Sequence, residues 1–240
     1  MTFSELPGLP GLPGLAGSAP PEPGLERTIG PPLRIERVRT TGTFSLDGQD
    51  FEVENNIWLI GDDTRVLVVD AAHQVEPIVD AIGDRRLLMI ICTHGHNDHI
   101  NAAVPLADAF DGAPIALHPD DQMLWDAVYP DRFPTYALED GGRIDFASNH
   151  LHVLHTPGHS PGGVSLLLER PGVLFSGDTL FRGGPGATGR SYSDFPTIIS
   201  SIQSQLLNLP PSTLVHPGHG DDTTIGEEAP HLQEWLDRGH

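Results

Sequence analysis

The pattern of apolar and polar positions from Leu33 onward predicts strands in the first part of the chain. Leu87–Cys92 is apolar without polar alternation, which is typical of a strand buried on both faces. The shorter apolar or alternating runs predict strands at Arg34–Val38, Phe51–Val53, Asn56–Ile60 and Val66–Asp70.

Helical periodicity alternates with further strands in the rest of the chain. Helices are predicted at Val75–Ile82, Ile100–Phe110, Pro119–Ala127, Thr197–Leu207 and Pro230–Arg238. Strands are predicted at Ile115–His118, His150–His155, Val164–Leu168, Val173–Ser176 and Thr213–His216. Strands that alternate with helices and hairpins indicate an α/β (α+β) domain in which helices cover the sheets.

The first 32 residues differ in composition from the rest. Residues 1–32 are rich in Pro and Gly, and we interpret them as a disordered tail, with a docking peptide as the alternative. Residues 33–240 are expected to form one domain. The segment Met1–Ala16 lacks a basic start and is interrupted by Pro and Gly, so it does not resemble a signal peptide. Because Cys92 is the only cysteine, an internal disulfide is excluded, and we expect a cytoplasmic protein.

Charge narrows the range of partners. The chain has 33 acidic and 13 basic residues, a formal net charge of −20. Such a surface repels phosphate backbones, so nucleic acid is disfavoured as a partner. No apolar run approaches the roughly 18–20 residues that cross a bilayer. We therefore expect a small-molecule substrate, and the sequence leaves the oligomeric state open.

Metal-binding residue types follow four predicted strands. In each case a Gly or Pro lies in the turn, and a His or Asp stands beside it. Because ligands at strand ends gather at one edge of a sheet, these segments are expected to meet. The four segments are Thr93-His94-Gly95-His96-Asn97-Asp98-His99, Thr156-Pro157-Gly158-His159, Gly177-Asp178 and Pro217-Gly218-His219.

The donor types limit the metal. His94 and His96, two positions apart, can reach one cation from the same side of an extended loop, while Asp98 and His99 can serve a second cation. Imidazole and carboxylate donors without a thiolate suit Zn²⁺, and also Fe or Mn. Seven donors are too many for one tetrahedral ion, which favours two divalent ions.

The H-x-H-x-D-H motif from His94 to His99 resembles that of the metallo-β-lactamase superfamily. The phrases around His159, Asp178 and His219 are similar to those of its glyoxalase II group of thioester hydrolases. The resemblance, which covers about residues 55–226, implies an αββα sandwich. It implies that His94, His96 and His159 hold one metal, that Asp98, His99 and His219 hold the other, and that Asp178 bridges both. It also implies that Asp70 supports the site as a non-ligand carboxylate.

The implied reaction is hydrolysis of a thioester, an acyl or formyl adduct of a small thiol such as glutathione or mycothiol. The nucleophile would be a hydroxide that bridges the two metals, with Asp98 and Asp178 as the catalytic carboxylates. Two departures bear on the substrate. Only the 21 residues from 220 to 240 follow His219, too few for the helical domain with which glyoxalase II grips glutathione. The loop Gly184–Arg190 also differs from the family's Gly-Cys-Gly-Arg segment.

Other residues carry weaker expectations. His155, which precedes His159 by four positions, is interpreted as a supporting residue rather than a ligand. His118 is expected to cap a helix, His216 to point into the scaffold and Cys92 to be buried. Candidates for the substrate pocket are Arg182, Arg190, Tyr129, Tyr136 and Tyr192, of which the arginines could bind a substrate carboxylate.

The alternative function is that of the persulfide dioxygenase branch of the same superfamily. That branch uses one iron, held here most simply by His94, His159 and Asp178, and the motif does not exclude it. A nuclease is disfavoured by the acidic charge, and a β-lactamase by the absence of a secretion signal. A purely structural metal site is disfavoured because such sites are usually closed and mononuclear.

Overall fold

The computed structural model describes residues 32–146 and 148–239 of the chain. Apart from Pro32, the predicted tail 1–32 lies outside the described residues. Within the described residues, two six-stranded sheets carry most of the structure.

The first sheet has the strand order β1-β2-β3-β4-β5-β6. Its first three strands form an antiparallel meander, and β3 through β6 pair in parallel. Strands β3, β4 and β5 are short and strongly apolar because both of their faces are covered, whereas the edge strand β6 is exposed. The strands are β1 Arg34–Leu46, β2 Gln49–Gly61, β3 Arg65–Val69, β4 Arg86–Ile91, β5 Ile115–Leu117 and β6 Tyr136–Ala137.

The second sheet has the order β14-β13-β10-β9-β8-β7, and only β10 and β13 pair in parallel. A separate two-stranded ribbon joins β11 to β12. The strands are β7 Arg143–Phe146, β8 Asn149–His155, β9 Val164–Leu168, β10 Val173–Gly177, β11 Leu180–Phe181, β12 Gly184–Pro185, β13 Leu214–Pro217 and β14 Thr223–Thr224.

Helices cover the outer face of each sheet. The helices are α1 Val75–Ile82, α2 Asn97–Ile100, α3 Ala103–Ala109, α4 Gln122–Val128, α5 Phe195–Ser201, α6 Ile225–Glu228 and α7 Leu232–Arg238. Single turns of 3₁₀ helix precede α4 and α7, and a π-helical segment, Ile202–Leu206, continues α5.

Three apolar cores separate four layers. One lies between the first sheet and α1, α3 and α4, and includes Ile78 and Trp125. The second lies between the two sheets, where Trp58 packs against Phe175. The third joins the second sheet to α5 and α7 and includes Trp235. The αββα arrangement that the family resemblance implies is therefore confirmed.

The long hairpin of β1 and β2 differs from the sequence prediction. The two strands pair continuously from Arg34 with Gly61 to Leu46 with Gln49, whereas short separate strands were predicted. We call the outer half of this hairpin, residues 40–55, the arm. Most of its side chains are exposed or half-buried, so the apolar alternation that marks a strand is weak.

Smaller differences follow from local contacts. The predicted helix Ile100–Phe110 begins later than expected, because Ile100 ends α2 and α3 begins only at Ala103. Between these helices, the side-chain oxygen of Asn101 accepts a hydrogen bond from the backbone nitrogen of His73. The edge strand β7 was not predicted. None of the helices among the described residues is long and apolar enough to span a membrane.

Candidate metal centre

The ends of four strands bring the seven predicted ligands together. The chain leaves β4 through His94 and His96 and enters the short helix α2, which carries Asp98 and His99. The second sheet contributes the other three after β8, β10 and β13, and these are His159, Asp178 and His219. The candidate centre thus lies where the same edge of both sheets meets, as the sequence predicts.

Three imidazoles form the first donor triad. The Nε2 atom of His94 lies 3.0 Å from Nδ1 of His96, which lies 3.0 Å from Nε2 of His159. The rings stand nearly perpendicular to each other, at 82–89°. Three nitrogens that face one point at this spacing match a tetrahedral ion, whose nitrogen ligands are about 3.3 Å apart for bonds of 2.0–2.1 Å.

A second triad consists of Asp98, His99 and His219. The two imidazole Nε2 atoms are 3.2 Å apart, and Oδ2 of Asp98 lies 3.3 Å from Nε2 of His219. The Asp178 carboxylate lies between the triads: Oδ1 is 3.4 Å from His99, and Oδ2 is 3.5 Å from both His159 and His219. One carboxylate that reaches both triads is the arrangement expected for a bridging ligand.

Hydrogen bonds on the far side of the rings orient the donor nitrogens. His159 Nδ1 donates to the carbonyl of Ala187 at 2.8 Å, and His219 Nδ1 donates to the carbonyl of Glu54 at 2.7 Å. His99 Nδ1 lies 3.0 Å from Oδ2 of Asp70. Because each Nδ1 donates its proton away from the centre, each Nε2 faces the centre as the atom that can bind a cation.

Asp70 occupies the supporting position expected from the sequence. Besides His99, its carboxylate accepts hydrogen bonds from the backbone nitrogen and the hydroxyl of Thr93, at 2.7 and 2.8 Å. The Thr93 hydroxyl oxygen is also 3.2 Å from Nδ1 of His94. Asp70 therefore orients one histidine of each triad through its Nδ1 side, His99 directly and His94 through the Thr93 hydroxyl.

Asn55 and His73 form a supporting chain that the sequence analysis missed. The Asn55 amide nitrogen donates to the backbone carbonyl of Asp98 at 2.8 Å and lies 3.2 Å from its Oδ2 atom. The amide oxygen accepts from Nε2 of His73 at 2.9 Å, and His73 Nδ1 accepts from Asn101 at 3.1 Å. The only signal in the sequence is a pair of asparagines, buried in the structure, at the head of an apolar strand.

Asp121 is a second residue that the sequence analysis missed. Its fully buried carboxylate accepts hydrogen bonds from the backbone nitrogen of Gly95 and the hydroxyl of Ser160, both at 2.7 Å, and from the backbone nitrogen of Gly162 at 2.6 Å. Gly95 lies between the two histidines of the first motif, and Ser160 follows His159. Asp121 thus ties together the two loops that carry the first triad. Burial raises the pKa of this carboxyl.

Two histidines of the first triad have lowered pKa values, which favour the neutral form that binds a cation. Burial, with help from His99 and His96, lowers the pKa of His94 well below its usual value. Burial and the neighbouring His159 lower the pKa of His96 to about 3. Both rings are neutral at physiological pH, the form in which imidazole binds metals.

Carboxylates dominate the second triad. Burial acts to lower the pKa of His99, but Asp178, Asp98 and Asp70 together raise it well above its usual value. The pKa of His219 is raised to about 10, because Asp178 and Asp98 outweigh the effect of burial. Burial acts to raise the pKa of Asp98, yet His99 and His219 bring it down to about 2. Without a cation, this triad compensates its buried carboxylates with protons on its histidines.

Two buried carboxylate oxygens without hydrogen-bond partners also indicate that the donor set binds divalent cations. Oδ1 of Asp98 and Oδ1 of Asp178 are buried and have no hydrogen-bond partner among the described residues. Leaving buried charged oxygens unpaired costs several kcal/mol in general, whereas a cation would compensate them. The backbone also approaches closely here, because a Cβ at Gly218 would lie 2.5 Å from Asp178 Oδ1 and 2.6 Å from His99 Cε1. Only glycine leaves room for both ligands.

A cavity of about 240 Å³ opens beside the donor atoms. Its non-donor wall is apolar: Phe44 and Val53 come from the arm, Phe181 from β11, and Ala187 from the loop after β12. Phe44 packs against the ring of His96 with centroids 5.3 Å apart. The altered Gly184–Arg190 loop therefore borders the site, as expected, and the arm contributes a wall that the sequence analysis missed.

None of the five weaker substrate candidates lines this cavity. Arg190 donates to the side-chain oxygen of Gln49 at 2.9 Å and stacks over the ring of Phe51, so it holds the loop after β12 against the arm. Arg182, Tyr136 and Tyr192 are exposed.

His118, His155 and His216 have local partners, as does Tyr129. His155 stacks on His118 and donates to the carbonyl of Pro161, so it braces the loop that follows His159 without contacting a donor. His118 caps the turn before α4, and His216 stacks on Trp58 inside the scaffold, both as expected. Tyr129 donates to the backbone carbonyls of Ile100 and Asn101. Cys92 is fully buried, as expected.

Comparison with known proteins agrees with this geometry. Residues 51–219 match the sequence profile of the metallo-β-lactamase superfamily. Hydroxyacylglutathione hydrolase GloC of Haemophilus influenzae is 32% identical over 193 residues, which cover 73% of this chain and 90% of that protein.

Two solved structures are similar over most of their length. The di-iron-bound form of TTHA1623 is 35% identical with a TM-score of 0.67, over 74% of this chain and 93% of that one. The BLEG-1 B3 metallo-β-lactamase is 28% identical with a TM-score of 0.69, over 80% and 98%.

Proposed function

The chain belongs to the metallo-β-lactamase superfamily and is a metal-dependent hydrolase of that group, and on this premise we propose that it hydrolyses a small thioester at a centre of two zinc ions. The observation that carries the proposal is the pair of donor triads that share Asp178 and open onto one apolar cavity. The proposed ligands are those expected from the sequence. The first ion takes His94, His96 and His159, and the second takes Asp98, His99 and His219.

The bound ions would supply Lewis acidity and lower the pKa of a water molecule towards neutrality. The protein residues do the positioning. Oδ2 of Asp98 faces His219, and Oδ1 of Asp98 has no hydrogen-bond partner among the described residues, so Asp98 would hold a cation through one oxygen and orient the attacking water with the other. Phe44 and Phe181 shield the reacting carbonyl from bulk solvent. Water adds to the thioester carbonyl, the carbon–sulfur bond breaks, and the products are a carboxylic acid and a thiol.

A thioester suits this site better than an amide does. A thiol has a pKa of about 8.5, so it leaves as a thiolate without full protonation. No general acid stands opposite the two carboxylates in the described cavity lining, which otherwise consists of the donor histidines and apolar side chains. An amine leaving group would require such an acid.

The cavity wall supports an apolar acyl group. Among the described residues, no Arg side chain lines the cavity, and the chain contains no Lys. A substrate carboxylate therefore has no cationic partner inside the pocket. The relative GloC is named for hydroxyacylglutathione, and here the acyl group would occupy the cavity while the thiol carrier stays outside it.

The alternative is a persulfide dioxygenase with one iron held by His94, His159 and Asp178. The geometry favours the hydrolase because Asp98, His99 and His219 converge as closely as the first triad does.

Metal content and turnover together test the proposal. Protein purified without chelator is expected to contain about two zinc ions per chain, and to hydrolyse short-chain acyl thioesters in an assay that detects free thiol. His96→Ala should abolish turnover, whereas His231→Asn, which alters an exposed histidine in the turn before α7, should not. One iron per chain, with oxygen uptake from a glutathione persulfide and no thioester turnover, would replace the hydrolase by the dioxygenase.

A further inference from the structure

The outer face of strand β8 carries a second pair of histidines. His150 and His152 are two positions apart on this strand, and Leu151 between them is buried in the core. Successive side chains of a strand point to opposite faces, so both rings lie on the outer face. This pair is on a different face of the second sheet from the apolar core that joins the two sheets, and it contacts none of the seven proposed ligands.

The two rings have the mutual geometry of the pair in the metal centre. The centroids of His150 and His152 are 4.8 Å apart with an interplanar angle of 86°. The corresponding values for His94 and His96 are 4.7 Å and 86°. Since the sequence spacing is also the same, both pairs can direct one nitrogen of each ring to a common point.

Glu169 supplies a third donor. It follows β9, the neighbour of β8, and its Oε1 atom lies 3.6 Å from Nε2 of His152. That nitrogen is buried and has no hydrogen-bond partner among the described residues. One donor atom from each of the three side chains lies within 4.8 Å of the other two. Closing to the roughly 3.3 Å spacing of a tetrahedral zinc site needs side-chain shifts on the order of 1 Å.

The surroundings leave room for a further ligand. A hollow of about 350 Å³, lined in part by His150, Glu169 and Arg170, lies beside the donors. Opposite His150 on β7 is Asp145, which is already paired with Arg143 at 2.6 Å. The charges of Arg143 and Asp145 cancel, so this pair neither creates the site nor opposes it strongly.

The other histidine pair outside the metal centre lacks this geometry. The rings of His118 and His155 are stacked nearly parallel, at 9°, with centroids 4.1 Å apart. The in-plane lone pairs of parallel rings do not converge on one point. His155 Nε2 is also committed to the carbonyl of Pro161.

We propose that His150, His152 and Glu169 form a separate, peripheral site for a divalent transition metal such as Zn²⁺ or Cu²⁺. Two imidazoles and one carboxylate are donors that these ions accept, and the open side would take water. A bound ion would link the end of β9 to the outer face of β8. The site does not depend on the proposed thioesterase activity.

Metal stoichiometry provides the first test. The native protein and its variants would be dialysed against rising free Zn²⁺ and analysed for bound metal per chain. The wild type should bind one equivalent more than His152→Asn, and Glu169→Gln should need at least tenfold more free Zn²⁺ for that equivalent. His231→Asn is the matched control, because His231 pairs with Glu234 at 3.2 Å but belongs to no two-histidine cluster among the described residues. Equal stoichiometry in the wild type and His152→Asn would overturn the proposal.

Electron paramagnetic resonance provides a second test that does not rely on counting. One equivalent of Cu²⁺ added to protein that holds two zinc ions per chain should give a spectrum with coupling to two imidazole nitrogens, while elemental analysis shows that both zinc ions are retained. His150→Asn should reduce the coupling to one nitrogen. A spectrum that the variant leaves unchanged would refute the site. Thioester turnover should be the same in wild type and His150→Asn, so this test is separate from that of the proposed function.

Discussion

Replacing Asp121 by Asn isolates the tie between the two loops of the first triad. The substitution keeps the shape of the side chain but leaves one acceptor oxygen in place of two. In the structure Oδ2 accepts from Gly95 and Ser160, and Oδ1 accepts from Gly162. Whichever way the amide is turned, its NH₂ group faces at least one backbone N–H donor.

The free-energy cost follows from these contacts. In the better orientation the amide oxygen keeps Gly95 and Ser160, and the backbone nitrogen of Gly162 loses its partner. A buried donor without a partner costs about 1–3 kcal/mol, and the two remaining bonds weaken because the acceptor is no longer charged. Asn avoids the cost of burying a charge, the effect that raises the pKa of Asp121. We expect a net loss of about 2 kcal/mol in the free energy of unfolding.

Asp121→Asn should lower the metal affinity of the first triad only. Residues that hold ligand loops from behind typically contribute 10–100-fold in metal affinity. Zinc at His94, His96 and His159 should bind at least about tenfold more weakly in Asp121→Asn. The second triad, which Asp121 does not contact, should be unaffected.

Two assays check this, with Asp120→Asn as the control. Asp120 is the exposed neighbour, and its carboxylate lies 3.8 Å from His118 without bonding either loop. Urea denaturation would give the change in stability, and competition with a graded series of chelators would resolve the two metal affinities. If Asp121→Asn loses stability but keeps both affinities, the proposed tie is wrong. If it behaves like Asp120→Asn in both assays, the hydrogen-bond argument fails as well.

Three further predictions address the second triad and the cavity. The raised pKa values of His99 and His219 keep both rings protonated at neutral pH, so loading the metal-free protein with zinc at pH 7 should release about two protons. Isothermal titration calorimetry in buffers of different ionisation enthalpy measures this release, and binding heats that do not depend on the buffer would contradict it. His73→Ala removes the donor to Asn55, and it should weaken zinc binding at the second triad by about 10-fold or more. Elemental analysis that finds this position fully occupied at limiting free zinc would contradict the prediction. Phe44→Ala removes one apolar wall, and it should raise KM for long-chain acyl thioesters more than for acetyl thioesters; equal changes in KM for both would show that the acyl group binds elsewhere.

The sequence predicts the fold class and the ligand set because both depend on local signals. Uninterrupted apolar runs such as Leu87–Cys92 mark buried strands, and a Gly or Pro beside each His or Asp marks the turn that comes next. The helix Val75–Ile82 and the strand Val164–Leu168 were predicted with the bounds that the structure has. The convergence of the seven ligands follows from a general property of sheets, since strand ends share an edge.

The residues that hold the ligands in place could not be predicted from the sequence, because their partners are distant along the chain. Asn55 contacts Asp98 across 43 positions, and His159 finds its acceptor at Ala187 across 28. Asp121 looked like one of two acidic residues at the start of a helix, and nothing local distinguishes it from Asp120. Only the structure reveals that one carboxylate is fully buried and the other is exposed.

The chemistry of the centre is thus determined by the sequence, and the shape of its pocket is determined by tertiary structure. A histidine can bind a metal wherever it lies, so residue type and spacing carry that information. An apolar side chain becomes a pocket wall only through what stands opposite it. Phe44 belongs to an arm whose alternation is weak, and it reaches the cavity only because β1 and β2 pair along their full length.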